Sequence, residues 1–300
     1  ESDLPHSLIV NSKNQLVILG STSSANFPVS PTAFDATFAS GSVINVFGLT
    51  YSEGSDMFIT ILSEDGSDLV GSTFWGGTDN DGISQYYSSI TRNYGDEFRG
   101  DIILDAQDNI YVASLTESDD FPIKNALQSN LSGEADAVVA KFNADLSDME
   151  WGTYLGGDAL DVAYGIKLNA LGQVVLAGGT TSRDFPTTTG VLHEDFSGGS
   201  TDGFVSIIEA DGSAIVNATY IGTDLYDQAY LLDIEPSGDI AIFGQTLGAY
   251  PVSSDVFSTP LGGQFIHSLS ADLSTTNYST TIGSIGNTAV GINIRPTAFW

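Results

Sequence analysis

The chain contains no cysteine. That excludes disulfides, thiolate metal centres and a cysteine nucleophile. Histidine is almost as scarce. His6, His193 and His267 stand at unlike places, and no HxxxH or HExxH pair exists, which argues against a zinc site. No stretch approaches the roughly 18 apolar residues of a membrane-crossing helix. Residues 1–6 (ESDLPH) have neither the basic start nor the apolar run of a signal peptide, so the expectation is a mature or internal piece of a longer chain. Basic side chains are also few: 8 against 38 acidic, a net charge of −30. That sign repels phosphate and anionic lipid, which disfavours nucleic acid and membrane surfaces as partners. It suits solubility at a cell surface, adaptation to salt water, or cation binding. There is no GxSxG elbow, Walker loop or sialidase-type Asp box, and carboxylate pairs carry no information in so acidic a chain. The sequence therefore reads as non-enzymatic.

What is present is repetition. The phrase at residues 178–186 (GGTTSRDFP) recurs at 20–28 (GSTSSANFP), 114–122 (SLTESDDFP) and, one residue shorter, 244–251 (GQTLGAYP). A second phrase accompanies it at 72–77 (STFWGG), 152–157 (GTYLGG), 218–222 (ATYIG) and 279–283 (STTIG). Phe121 and Phe185 are 64 residues apart, and Phe185 and Tyr250 are 65 apart. Such a period marks a repeat architecture. Each unit holds four short runs rich in β-formers, most of them joined by Gly/Asp/Asn turns, which is the pattern of an antiparallel meander. In the third unit the runs are 162–168, 173–178, 202–209 and 214–221.

The predicted fold is all-β, a β-propeller of four-stranded antiparallel blades. Blade one covers about 5–77, blade two 78–157, blade three 158–222 and blade four 223–283, with the opening strand of a fifth at 284–300. Four blades and a lone strand predict a larger propeller. The repeated Phe27, Phe121, Phe185 and Tyr250 are each followed by proline, which ends strand pairing. Their rings are expected to pack between blades, where burial is worth roughly 2–3 kcal/mol each. The glycines at 76–77, 156–157, 222 and 283 suit the crossover from one blade to the next.

The phrases TYLGG (153–157), GTTSRDFPTT (179–188) and DAVVAKFN (136–143) closely resemble the SBBP repeat, the bacterial seven-bladed β-propeller repeat, over nearly the whole chain. Asp56, Asp136 and Asp202 match the family's acid before the third strand, and Gly263 replaces it in the fourth unit. Asp161 and Asp227 match the acid after the glycine pair, with Glu97 in the second unit and Asn287 in the fifth. The resemblance implies a large secreted or surface-anchored bacterial protein of the kind exported by type IX secretion, including gliding-associated and adhesin-like proteins. It implies partners among surface or secretion-machinery proteins or glycans.

Phe27 and Phe121 are 94 residues apart, so the first two units carry extra chain, placed at 41–54 and 78–100. Read as a 2–3 connection and the following crossover, both emerge on one face of adjacent blades and are expected to be neighbours. The second holds Tyr86, Tyr87, Arg92, Tyr94 and Arg99, residue types that anchor binding surfaces. Asp79 and Asp81, in residues 79–82 (DNDG), resemble half a calcium loop and are the metal candidates, although the spacing is wrong and no twelfth-position glutamate follows. The repeated acids otherwise read as acceptors of backbone N–H groups in turns. The expected function is a binding or display module recognising protein or glycan through the insertion-bearing face. The alternatives are a propeller-based lyase or glycosidase, or a structural spacer in an adhesin.

Overall fold

In a computed structural model, the structure describes residues 2–46, 48–85, 89–92, 95–98 and 100–283. Among the described residues, eighteen strands form four sheets of four and one small hairpin. The first blade is β1 (Asp3–Val10), β2 (Leu16–Thr22), β5 (Asp56–Leu62) and β6 (Leu69–Trp75). β3 (Ile44–Val46) and β4 (Leu49–Tyr51) are the hairpin inserted into its 2–3 connection. The second blade is β7 (Asp101–Leu104), β8 (Ile110–Thr116), β9 (Asp136–Phe142) and β10 (Met149–Leu155). The third runs β11 (Asp161–Leu168), β12 (Val174–Thr180), β13 (Asp202–Ile208) and β14 (Ile215–Ile221). The fourth runs β15 (Asp227–Ile234), β16 (Ile240–Thr246), β17 (Gln264–Leu269) and β18 (Thr276–Ile282). Each is an antiparallel meander with its strands in sequence order, which establishes the propeller-type all-β architecture. The fifth unit, residues 284–300, lies outside the described residues.

First strands of successive blades meet, β1 with β7, β7 with β11 and β11 with β15, so they lie innermost. The apolar cores lie between blades. One packs Leu19 and Met57 with Val112 and Phe142. The next packs Ala113 and Trp151 with Leu176 and Phe204. The third packs Val175 and Val205 with Leu232 and Ile242. Blade stacking, not the single sheet, therefore supplies most of the burial. The two outer faces of the array are less covered. Leu8 is 50% exposed where its repeat counterpart Leu232 is 6% exposed. Phe243 and Ile266 are half-buried where Ala177 and Val205 are fully buried.

The 3–4 hairpins show how local chemistry serves these cores. Asp65, Asp145, Asp211 and Asp272 each accept the N–H of the serine two residues on, at 3.0–3.1 Å. The next turn position needs a left-handed backbone. It is Gly66 and Gly212 in two blades, but Leu146 (φ 60°) and Leu273 (φ 59°) in the others. Left-handed leucine costs roughly 1–2 kcal/mol. Both leucines are fully buried in an interblade core, and that burial contributes roughly 2–3 kcal/mol. Burial wins, so leucine is tolerated. Gly212 has no such option, because a Cβ there would stand 2.5 Å from the Trp151 ring.

The aromatics before proline serve both: Phe121, Phe185 and Tyr250 belong to the interblade cores, and most of these rings also stack on a ring of their own blade. Phe27 stacks on Phe58, Phe185 on Phe204 and Tyr250 on Phe265, with centroids 4.2–4.4 Å apart. Among the ring–ring contacts of the described residues, that of Phe121 with Trp75 (4.8 Å) reaches a neighbouring blade. The reason is a cross-strand pair. Phe58, Phe204 and Phe265 lie opposite Gly20, Gly178 and Gly244, whose missing side chains leave room for the rings. In blade two the same pair is Ser114 with Val138, so Phe121 has no in-blade ring to stack on and turns to Trp75.

Candidate functional site

Each crossover between blades is locked by a repeated set of polar contacts. Asp161 Oδ2 accepts the Gly157 N–H (2.8 Å) and the Ser182 hydroxyl (2.7 Å). The Thr180 hydroxyl accepts the Ser182 N–H (2.9 Å). In the preceding crossover Asp81 takes the same place. It accepts Gly77 N–H (2.7 Å), the Ser118 hydroxyl (3.3 Å) and the Thr116 hydroxyl. So the acid after the glycine pair in the second unit is Asp81, not Glu97. Asp79 is exposed, and its N–H donates to Ser118 Oγ (2.9 Å). Among the described residues no three His, Cys, Asp or Glu side chains cluster to hold a metal. In the last crossover the capping hydroxyl changes sides. Thr223 replaces the second glycine and donates to Asp227 (2.7 Å), while Gly248 replaces the serine. A Cβ on Gly248 would stand 1.9 Å from Thr223 Oγ1.

The other repeated acid approaches from the blade before. Asp136 accepts Ser132 N–H (2.9 Å), Gly133 N–H (3.2 Å) and the Gln128 amide (2.7 Å). Asp56 accepts Ala39 N–H (2.7 Å), and Asp202 accepts Ser197 N–H (2.6 Å). These acids hold the 2–3 connection, the turn role expected for them. All are buried, and among the described residues none forms an ion pair. Burial, partly offset by these hydrogen bonds, pushes Asp56, Asp161 and Asp202 up to about 7, and Asp136 and Asp227 up to about 6.

The two insertions meet, as expected. Ile44, Val46 and Tyr51 of the hairpin share one buried cluster with Ile83, and Phe98 packs against it. The Asn80 amide also donates to Ser42 Oγ (2.8 Å). The second insertion differs from expectation in one respect. It does not widen the crossover but breaks the innermost strand. Asp81 pairs with Thr116 and the Gly82 N–H donates to Leu115 O, then pairing resumes at Asp101 with Ala113. In blades one, three and four a single bulged residue occupies that gap: His6, Tyr164 and Tyr230. The insertion is thus an enlarged bulge on the inner strand, and it turns toward the axis.

There it meets the other blades. The Ile90 carbonyl accepts the Tyr164 hydroxyl (2.8 Å) and the Gln228 amide (3.0 Å). The Ser89 carbonyl accepts the Thr201 hydroxyl (2.6 Å). Asp96 Oδ2 accepts the Arg92 N–H (2.9 Å) and the Tyr230 hydroxyl (3.3 Å). The Phe98 ring lies 6.2 Å from His6. The Arg92 guanidinium sits over Tyr226, 4.5 Å from the ring centroid, a cation–π contact. Tyr226 and Tyr230 share Gln228 Oε1 as acceptor. At the edge of the segment, Gln85 donates to Glu117 (3.0 Å), whose carboxyl burial pushes up to about 7.

Of the five binding candidates, Arg92 is placed in this axial cluster. Tyr86, Tyr87, Tyr94 and Arg99 lie outside the described residues. Tyr164, Tyr226, Gln228 and Tyr230 complete the cluster and were not singled out from sequence. A signal for two of them existed, since Ala163-Tyr164 and Ala229-Tyr230 occupy the same place in their units. Arranged this way, the cluster ties the inserted chain to blades three and four through the Tyr164 and Tyr230 hydroxyls and the Gln228 amide.

No protein-family model matches the chain, and no curated protein matches it. Among solved structures it is similar to a protein of unknown function from Dyadobacter fermentans DSM 18053, with TM-score 0.48 and 9% identity over 94% of this chain and 65% of that one. It is also similar to a luciferin-regenerating enzyme (TM-score 0.35, 12% identity, 93% and 76% covered) and to a glucose dehydrogenase (0.31, 11%, 79% and 78%). The chain thus spans 65% of the length of the first of these structures.

Proposed function

We propose that this is a non-catalytic binding or display propeller of SBBP type, part of a bacterial secreted or cell-surface protein, and that it recognises a protein or glycan through its insertion-bearing face. The observation that carries the reading is the shared cluster of Ile44, Val46, Tyr51 and Ile83, with Phe98 packed on it. It fuses the two insertions into one platform on an otherwise regular repeat. Regular blades suffice for a spacer. A fused, non-repeating platform that leaves Val43 (58%) and Leu49 (36%) exposed is what a recognition surface requires. The acidic surface directs the choice toward neutral or basic partners. An enzyme reading would draw on the Tyr164, Tyr226, Tyr230, Asp96 and Arg92 cluster at the axis. The chain's own Ile90 carbonyl takes the Tyr164 hydroxyl, and Gln228 Oε1 takes those of Tyr226 and Tyr230, which favours the anchoring role.

The test is a glycan array and a panel of purified surface proteins probed with the wild type and with Val43→Glu/Leu49→Glu. Binding by the wild type that the double variant loses supports the reading. No binding by a folded wild type, or equal binding by both, leaves the spacer.

A further inference from the structure

Two of the blade junctions bury a pair of carboxyl groups with no counter-charge. Asp136 Oδ1 and Asp161 Oδ2 each lie 2.7 Å from the point where a Cβ on Gly156 would stand. The same point on Gly222 is 2.5 Å from Asp202 Oδ1, and Asp227 holds the repeat position of Asp161. At Gly156 the glycine therefore leaves no side chain between the two acids. All four are buried, and none takes part in an ion pair among the described residues. The groups facing them carry the same sign or none. At the first junction these are Asp184 and Tyr220, with the hydroxyls of Thr180 and Ser182. At the second they are Asp224, Tyr220 and Tyr250, with the hydroxyls of Thr223 and Thr246. Arg183, a cation of the neighbouring loop, is instead stacked over Phe196 (5.2 Å). Two carboxylates this close in a dry site do not both ionise at low cost.

We propose that each of these junctions holds one proton between its two carboxyl groups, clamping the blades in mildly acidic medium and loosening them as the medium turns alkaline. The sign follows from linkage. Unfolded, these carboxyls ionise near the ordinary value of 3.8, whereas folded they keep protons to about 6 or 7. Folding therefore takes up protons across that interval. The unfolding constant should rise about tenfold per pH unit for each proton held, then level off.

The experiment is thermal unfolding of the whole chain from about pH 5 to about pH 8, in salt high enough to screen surface charge. The variants are Asp161→Asn and Asp227→Asn, with Asp233→Asn, an exposed aspartate, as control. The wild-type Tm is expected to fall across the range, each junction variant to lose part of that fall, and the control to keep it. A full fall in both junction variants overturns the proposal. So does a wild-type Tm at about pH 8 that calcium restores, because the junction would then hold a cation. Should an Asn variant not fold, proton uptake during refolding of the wild type near pH 6 decides. About one proton per junction supports the proposal, and no uptake overturns it.

Discussion

Tyr154 and Tyr220 close the loop that carries the Phe-Pro phrase. The Tyr220 hydroxyl donates to Ser182 O and accepts Phe185 N–H, both at 2.9 Å, and Tyr154 does the same for Ser118 and Phe121. Blade one has Phe74 there and lacks the bridge. Tyr220→Phe leaves the buried Phe185 N–H unpaired, so it should cost about 1–3 kcal/mol in urea unfolding. Gly178 is less forgiving. A Cβ there would stand 2.0 Å from the Val162 carbonyl and 2.6 Å from the Phe204 ring. Gly178→Ala should therefore cost about 1–3 kcal/mol or more by overpacking. Adding Phe204→Val should recover only part, since the Val162 carbonyl remains. Ser114 is tolerated at this position because the inserted chain interrupts the facing first strand.

At the scale of elements, the hairpin β3–β4 and the inserted segment depend on each other through Ile83. Ile83→Ala removes a fully buried side chain from a small cluster and should cost about 2–5 kcal/mol. It should also raise amide exchange in β3–β4 while leaving β15–β18 unchanged. Blade strands were legible because their signal repeats: in the third unit β11 to β14 differ from the sequence limits by one or two residues at an end. The crossover locks were legible as repeated Asp, Thr, Ser and Gly positions, though Asp81 hid behind the insertion. The route of residues 83–100 was not legible. Nothing in a single copy says whether extra chain widens a crossover or swells a bulge, and only pairing on both sides, Asp81 with Thr116 and Asp101 with Ala113, decides it. Tyr226 and Gln228 were missed because their partner is the Ile90 segment, remote in sequence and without a repeat counterpart.

For the whole molecule, a repeat array gains burial only between neighbours, so four blades need little beyond stacking. Residues 89–98 add a different kind of contact, reaching blades one, three and four from blade two. These contacts of Ser89, Ile90, Asp96 and Phe98 tie the insertion to the other blades, the premise of the recognition reading. Hydrogen exchange at the backbone amides of Ser84, Arg92 and Phe98 tests this most directly. Their bonds to Glu97 O, Asp96 Oδ2 and Gly95 O, held in place by the contacts of Ile90 and Asp96 with blades three and four, predict exchange as slow as in β11 and β15, hastened at these amides by Tyr164→Phe with Gln228→Ala. Exchange at the rate of exposed chain while the strands stay protected would contradict an anchored platform, and the recognition reading would fall with it.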